Sequence, residues 1–336
     1  MLMSAKPVEA GANGRPASTR PLLSIVMPAH NEGGVIGGTL RRIARTAHDW
    51  APAGQIEVIA VDDGSTDGTF EEARCALGPD LPGTVVALVG NAGSHAAIRC
   101  GLTHARGDHV AIMAADGQDP PEALAAMLAA MRPAVDVVWG RRADRSNDGA
   151  ATRRLAAGYY RIFRMLTGLD YPPSGLDFLL ARRRVIDAVL QRSARNTSLF
   201  LLIYNLGFPQ AFVDYERGVR AGGSSSWTLC KKIKLATDML TSFSAAPIRV
   251  ASLVGVLAGF VGMALGGVTM VRAALGDIPV SGWASLMVVS SFTSGLILVA
   301  IGFLGEYTWR ILDEVRGAPP FIEGRSERLG APAGEL

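Results

Sequence analysis

Two short acidic clusters carry the most specific chemistry in this chain. Asp62-Asp63-Gly64-Ser65-Thr66-Asp67 follows the apolar run 56–61, and Asp116-Gly117-Gln118-Asp119-Pro120-Pro121-Glu122 follows a second run, 109–114. An apolar run that ends in carboxylates reads as a buried parallel strand, and such strands deliver side chains to the sheet edge where open α/β folds bind ligands. One cluster able to hold a nucleoside and another able to hold a divalent metal point to a nucleotide-sugar site. A lone acidic loop residue is usually just solvated. Two clusters on successive strand ends are not so easily dismissed.

The elements around them have the required alternation. Runs 22–27, 56–61, 84–89, 109–114 and 135–139 are short and apolar or β-branched, and helical patterns occupy roughly 35–47, 68–76, 96–105 and 121–131 between them. Strand and helix alternating in this way predict a parallel sheet covered on both faces. Asp67 is suited to cap the helix that follows it, and Pro120-Pro121 to open the next. No Gly-x-Gly-x-x-Gly follows the first strand, and no Gly-x-x-x-x-Gly-Lys-Ser/Thr loop occurs. Dinucleotide-binding and P-loop readings therefore lack their signatures.

Composition adds a second part. Of 336 residues, 49% are hydrophobic and only 19% charged, and the apolar excess gathers near the end. Segments 250–271 and 284–307 each exceed the roughly 20 apolar residues needed to span a bilayer as a helix, with Glu306 the only charge in either. Gly255, Gly259, Gly262, Gly266 and Gly267 suit close helix packing in lipid, and Trp283 and Trp309 bracket the second span as interfacial anchors. Lys231, Lys232, Lys234 and Arg249 precede the first span, Arg310 and Arg316 follow the second, and the intervening turn carries only Arg272 and Asp277. Positive-inside bias then predicts a hairpin with both termini cytoplasmic.

The expected organisation is a disordered segment at 1–20 without a signal-peptide core, a catalytic domain at 21–226, an interfacial amphipathic helix at 227–249, two membrane helices at 250–310 and a cytoplasmic tail at 311–336. Arg141, Arg142, Arg145, Arg153, Arg154, Arg161 and Arg164 interleave with Tyr159, Tyr160 and Phe163, a cast suited to an anionic lipid surface. A solvated basic face is the plainer alternative for that stretch. Cys75, Cys100 and Cys230 show neither pairing nor metal-ligand spacing, as expected in a reducing compartment.

Several segments together resemble family 2 glycosyltransferases of GT-A fold. They are Leu23–Glu32 (LSIVMPAHNE), Val61–Thr69 (VDDGSTDGT), Asn91-x-Gly93 with Ala96-Ala97 and Gly101-Leu102, and Asp116–Glu122 (DGQDPPE). Gly175-Leu176-Asp177-Phe178, Arg217-x-x-Arg220-x-x-Gly223-x-Ser225 with Trp227, and Ser242-Phe243-Ser244-x-x-Pro247-x-Arg249 narrow the likeness to the polyprenyl-phosphate glycosyltransferases. That group includes dolichol-phosphate mannose synthase and the bacterial undecaprenyl-phosphate glucosyltransferases. The likeness runs from about Leu22 to about Arg316.

The resemblance implies roles. Pro28, Asn31, Glu32, Asp62 and Asp63 line the nucleoside pocket for a UDP- or GDP-linked donor. Asp116 and Gln118 face Mg2+ or Mn2+ at the donor diphosphate, and Asp177 lies by the acceptor phosphate and the reacting carbon. Arg141, Arg217, Arg220 and Ser225 are expected near the phosphates. It also implies a polyprenyl phosphate acceptor, an inner-membrane location, a homo-oligomer and no nucleic-acid partner. Three positions depart from the pattern: Ala114 stands where an aspartate is usual, Leu179 where an arginine is common, and Ser226 where a lysine is common.

The chemistry needs little base assistance. A phosphate monoester has a second pKa of about 6, so at neutral pH its oxygen is already a nucleophile. The site must neutralise the leaving diphosphate and align an in-line attack, which inverts the anomeric carbon. A rival reading from another class is a catalytically degenerate membrane protein that keeps the fold as a scaffold or lipid-binding partner, with Ala114 as its best support. A processive polysaccharide synthase is disfavoured by the lack of Gln-x-x-Arg-Trp and by only two spans.

Overall fold

The computed structural model describes residues 21–50, 55–142, 176–192, 198–218, 246–275, 282–317 and 319–330, with isolated positions at 158, 161, 164 and 165. Segment 1–20, nearly all of the arginine-rich stretch beyond Arg142, and 227–245 of the expected interfacial helix lie outside the described residues.

Chain order alternates through β1 (Leu23–Ala29), α1 (Ile36–Ala47), β2 (Ile56–Asp62), α2 (Thr69–Ala76), β3 (Gly83–Leu88), α3 (Ser94–His104), β4 (His109–Ile112), α4 (Ala123–Ala130) and β5 (Val137–Arg142). Then come β6 (Leu179–Arg182), α5 (Arg183–Leu190), α6 (Leu199–Asn205) and β7 (Gln210–Tyr215). Two long helices, α7 (Ala246–Ala274) and α8 (Trp283–Val315), precede a last strand, β8 (Glu323–Leu329).

The strands form one eight-stranded sheet in the order β7-β5-β6-β4-β1-β2-β3-β8. The β4-β1-β2-β3 block is parallel, as is β5 with β7, while β6 runs antiparallel to both neighbours and β8 antiparallel to β3. Period-two alternation explains the two cores. Leu23, Ile25 and Met27 of β1 join Val58 and Ala60 of β2 beneath Ile36, Leu40 and Ile43 of α1 and Leu124 and Met127 of α4. Val26, Ile59 and Val61 face the other way, against Ala97, Ile98 and Leu102 of α3 and Val185, Ile186 and Val189 of α5. Each fully buried aliphatic side chain contributes roughly 1.5–3 kcal/mol.

The 311–336 stretch differs from the expected tail, because residues 323–329 pair with β3 as an edge strand and the sheet is not complete at residue 226. Glu-Gly-Arg-Ser-Glu-Arg-Leu has no apolar period. Backbone pairing to β3 holds it, and Arg325 adds an ion pair to Glu71 (3.2 Å) and lies over the Phe70 ring (4.6 Å). Charge on an edge strand also discourages pairing with further chains.

Segments 250–271 and 284–307 fall within α7 and α8, which pack against each other. Their lengths, 29 and 33 residues, correspond to ~43 and ~50 Å at the α-helical rise. Leu257, Phe260, Met263, Phe292, Leu298 and Leu304 are among the large apolar side chains they expose. By length and composition, Phe292–Trp309 is the one stretch among the described residues able to cross a membrane, and Ser252–Val268 is a shorter apolar helix.

Candidate active site

One edge of the sheet gathers the carboxyl ends of β1, β2, β4, β5 and β7 with the amino end of β6. Nearly every sequence-predicted site residue that is described lies there, but the two acidic clusters are used differently.

The first cluster is engaged by the backbone. Asp63 is 3% exposed, and its two carboxylate oxygens accept the amides of Ala92 (2.7 Å) and Gly93 (2.9 Å). Asp62, also buried, accepts the Ser65 amide at 3.0 Å. Pro28 lies opposite Val61 in the β1–β2 register. Asn31, at φ 54°, accepts the Thr66 amide on its side-chain oxygen (3.0 Å), while its own amide donates to Ser65 Oγ (2.9 Å). The Glu32 amide donates to Thr69 Oγ1 (3.0 Å), and the Glu32 carbonyl opens α1 by accepting the Val35 and Ile36 amides. Asp67 sits one residue ahead of the α2 N-cap, Gly68; its carboxylate accepts the Thr69 and Gly33 amides (3.0 Å each). Gly64 is required at its turn: its φ is 65°, and a Cβ would come within 2.5 Å of the Gly90 carbonyl carbon. Pro28, Asn31, Glu32, Asp62 and Asp63 thus converge on two loops already stitched to each other.

The second cluster is only partly engaged. One Asp116 oxygen accepts the Gln118 amide at 3.1 Å, and the other lies 4.0 Å from Arg217 Nη2. Gly117 turns the loop at φ 72°, and the Gly218 amide donates to the Gln118 carbonyl (2.8 Å), drawing the segment after β7 across it. Beneath them Asp119 is 1% exposed, accepting the Tyr215 hydroxyl (2.9 Å) and the Ala114 amide (3.2 Å). Burial, and then the nearby Asp177 charge, raise the Asp119 carboxyl above the ordinary range. Burial and then Asp119 likewise push the Tyr215 phenol up.

Arg142 links this network to Asp177, its Nη2 bonded to the Asp177 carboxylate. Burial disfavours the Arg142 charge, but Asp177, Tyr215 and Asp119 together outweigh it, so the guanidinium ends above its ordinary value. Among the described residues, the buried Nε atoms of both Arg142 and Arg217 have no hydrogen-bond partner. A buried donor left unpaired costs about 1–3 kcal/mol, and both are next to carboxylates.

Arg141 points elsewhere. It makes a two-pronged, exposed ion pair with Asp214 (2.6 and 2.9 Å), its register partner on β7. Consecutive strand residues face opposite sides, so only one of Arg141 and Arg142 can reach Asp177, and the β5–β7 register gives that place to Arg142. Arg142, Tyr215 and Asp119 are the site residues that sequence reasoning passed over. The adjacent arginine pair at the end of the 135–139 run was the available signal. Arg220 and Ser225 lie outside the described residues.

A carboxylate–arginine site at β4, β5 and β6 thus stands beside the stitched loops after β1 and β2, at the edge of a mixed α/β sheet where such folds bind ligands. Residues 24–190 match the family described as "Glycosyl transferase family 2". The chain is 31% identical to "Uncharacterized glycosyltransferase YkcC" of Bacillus subtilis (strain 168), covering 90% of this chain and 93% of that one. It is also 31% identical to the "SfII prophage-derived bactoprenol glucosyl transferase" of Shigella flexneri, over 91% of this chain and 98% of that one. The chain belongs to glycosyl transferase family 2. Among solved structures it is similar to the mannosyltransferase PcManGT from Pyrobaculum calidifontis in complex with GDP-Man and Mn2+, at 17% identity and TM-score 0.46, covering 87% of this chain and 88% of that one.

Proposed function

We propose that this protein is an inverting glycosyltransferase moving a hexose or related sugar from a UDP- or GDP-linked donor to a polyprenyl phosphate at the cytoplasmic membrane face. One observation carries this reading: among the described residues, Arg142 and Arg217 each have a buried Nε without a partner beside Asp177 and Asp116, at the sheet edge where the β1 and β2 loops end. A guanidinium fork matches phosphate oxygens in two hydrogen bonds at once. The relatives named bactoprenol glucosyl transferase support a polyprenyl phosphate as the acceptor.

The donor set fits a divalent metal. Among the described residues, one Asp116 carboxylate oxygen has no partner nearer than Arg217 at 4.0 Å, and Gln118 is beside it. Mg2+ commonly takes one or two carboxylates, completing its shell with substrate phosphate oxygens and water. When bound, Mg2+ or Mn2+ would stabilise charge on the departing diphosphate. The chain's own groups do the rest. Arg217 neutralises phosphate charge over the 116–118 loop, and Arg142 does so on the acceptor side. The Arg142 contact fixes the direction of Asp177, as a group that positions the acceptor requires. The acceptor phosphate, dianionic or nearly so above its second pKa of about 6, attacks the anomeric carbon directly and inverts it.

The two apolar helices support a membrane hairpin. Because β8 rejoins the sheet that β1 begins, a chain that leaves through α7 must return to the same side, an even number of crossings. The flanking lysines and arginines favour the cytoplasmic side. A cysteine at Asp277 should react with an impermeant reagent from outside and one at Ser326 should not; the reverse pattern would overturn this topology.

Function is tested with membranes containing the protein, a panel of radiolabelled UDP- and GDP-sugars, and polyprenyl phosphate. Label should enter an organic-extractable, mild-acid-labile lipid. A second reading, the degenerate scaffold, is favoured by Ala114, which gives the site only its backbone amide. Folded protein that transfers from no donor in the panel, with Ala114→Asp restoring nothing, would decide for the scaffold.

A further inference from the structure

A second group of ligand-bearing side chains lies away from the candidate active site, where β8 meets α3. Cys100 and His104 are four residues apart on α3 and so share one helix face. Glu323, the first residue of β8, brings Oε1 to 3.2 Å from His104 Nε2 and 3.5 Å from Cys100 Sγ. All three ligand atoms lie within 4.8 Å of one another. Cys100 is buried, His104 half-buried and Glu323 exposed, so the group is closed on one side and open to water on the other.

We propose that Cys100, His104 and Glu323 form a binding site for Zn2+, or a comparable borderline-soft divalent cation, that fastens the C-terminal strand to α3. Bonds of 2.0–2.3 Å in a tetrahedron set ligand atoms ~3.3–3.7 Å apart. The Glu323–His104 and Glu323–Cys100 distances are already near that spacing, and small side-chain shifts bring sulfur and nitrogen together. Thiolate and imidazole ligands select such a cation over Mg2+ or Mn2+, which prefer oxygen. The site is therefore chemically distinct from Asp116. Three protein ligands leave the fourth position to water on the exposed side.

The backbone holds these ligands in place without the metal. The Val89 amide donates to the Ile322 carbonyl (3.0 Å), and Phe321 packs against the core cluster that contains Cys100. Burial, then the Glu323 charge, push the Cys100 thiol well above its ordinary range, so the thiol remains protonated until a cation displaces that proton to solvent. The clamp joins two working parts. The α3 N-cap is Gly93, whose amide holds Asp63 in the loop after β2, and Glu323 is where the chain re-enters the sheet after α8.

The test uses the full chain purified in detergent, treated with chelator and titrated with Co2+, whose spectrum reports sulfur ligation. Saturable binding with a sulfur-to-cobalt charge-transfer band is expected, with displacement by Zn2+. Cys100→Ser should abolish the band. The more exposed His104→Ala and Glu323→Gln should weaken Co2+ by more than ~100-fold, exceeding the loss typical when only a ligand's hydrogen-bond partner is removed. Asp116→Asn should leave the band unchanged, and Zn2+ should raise the unfolding temperature of the parent but not of Cys100→Ser. No sulfur band in the folded parent, a band that survives Cys100→Ser, or affinity unchanged in folded His104→Ala and Glu323→Gln would overturn the proposal.

Discussion

The two edges of the central sheet handle charge in opposite ways. At the amino edge, Glu57 is buried and receives the Ser24 hydroxyl (2.6 Å), the Arg106 amide and both prongs of the Arg106 guanidinium (3.1 and 2.8 Å). Asp136, 0% exposed, is held by two prongs of Arg184 (2.7 and 2.6 Å), with Arg182 at 3.6 Å. These carboxylates are fully satisfied, as buried charges must be to persist. At the carboxyl edge, among the described residues, Asp116 has an oxygen without a close partner and two arginines have unpaired Nε atoms. Within that edge the β2 cluster resembles the amino edge, since Asp63 is saturated by backbone amides. Saturated carboxylates build shape, and incomplete ones are where a ligand has something to add.

The comparison breaks most visibly at Asp116. Asp116→Ala should reduce metal-dependent transfer by about 10²- to 10³-fold, the scale of removing one electrostatic stabiliser of developing charge, with the unfolding temperature nearly unchanged. Near-normal turnover would remove Asp116 from the metal. Asp136→Asn should do the reverse. Charge-assisted hydrogen bonds contribute about 1.5–3 kcal/mol, and because Arg184 is 62% exposed and screened by water, a stability loss of about 2 kcal/mol is expected, read by denaturant titration, with transfer per folded molecule intact. A selective loss of activity there would erase the contrast. Arg142→Lys tests the middle ground: it keeps the charge and loses the fork, so transfer should fall roughly 10- to 100-fold with little change in stability. Normal turnover would assign the acceptor phosphate elsewhere.

Much of this contrast was written in residue order, and the rest in register. Five strands and four helices of the first half followed from apolar period, because each strand there is buried on both faces or backed by a helix. β6 escaped notice as four residues running directly into α5, and β8 because a charged edge strand held by backbone bonds has no apolar signature. The motifs singled out Asp116 and Asp177, and the structure brings both to the carboxyl edge. Choosing Arg142 over Arg141 required knowing that Tyr215, not Asp214, lies opposite Arg142 on β7. Cys100 and His104 had helical spacing, but their third companion is more than two hundred residues away and comes close only through β8.

The smallest expected effect separates the edges by pH, since each side has one histidine that burial depresses. His95, in the first turn of α3, packs edge-on against Phe200 at 5.8 Å, and its Nδ1 has no partner among the described residues. Burial is the cause of its lowered pKa. His109, at the amino edge, is lowered by burial and by Arg182, but the Leu22 carbonyl at 3.4 Å partly opposes this. A histidine depressed on folding contributes stability that is present above its unfolded pKa of about 6.5 and is lost as pH falls through the lower folded value. Stability should therefore decline on acidification below about pH 6.5, with each ring contributing at most ~1.4 kcal/mol per pH unit. His95→Gln should flatten that acid limb more than His109→Gln, because no carbonyl favours the His95 cation. Unfolding measured at several pH values reads the difference. Equal slopes in the two variants would mean that the carboxyl edge is as well satisfied around its histidine as the amino edge, and that the incompleteness of this site is confined to Asp116, Arg142 and Arg217.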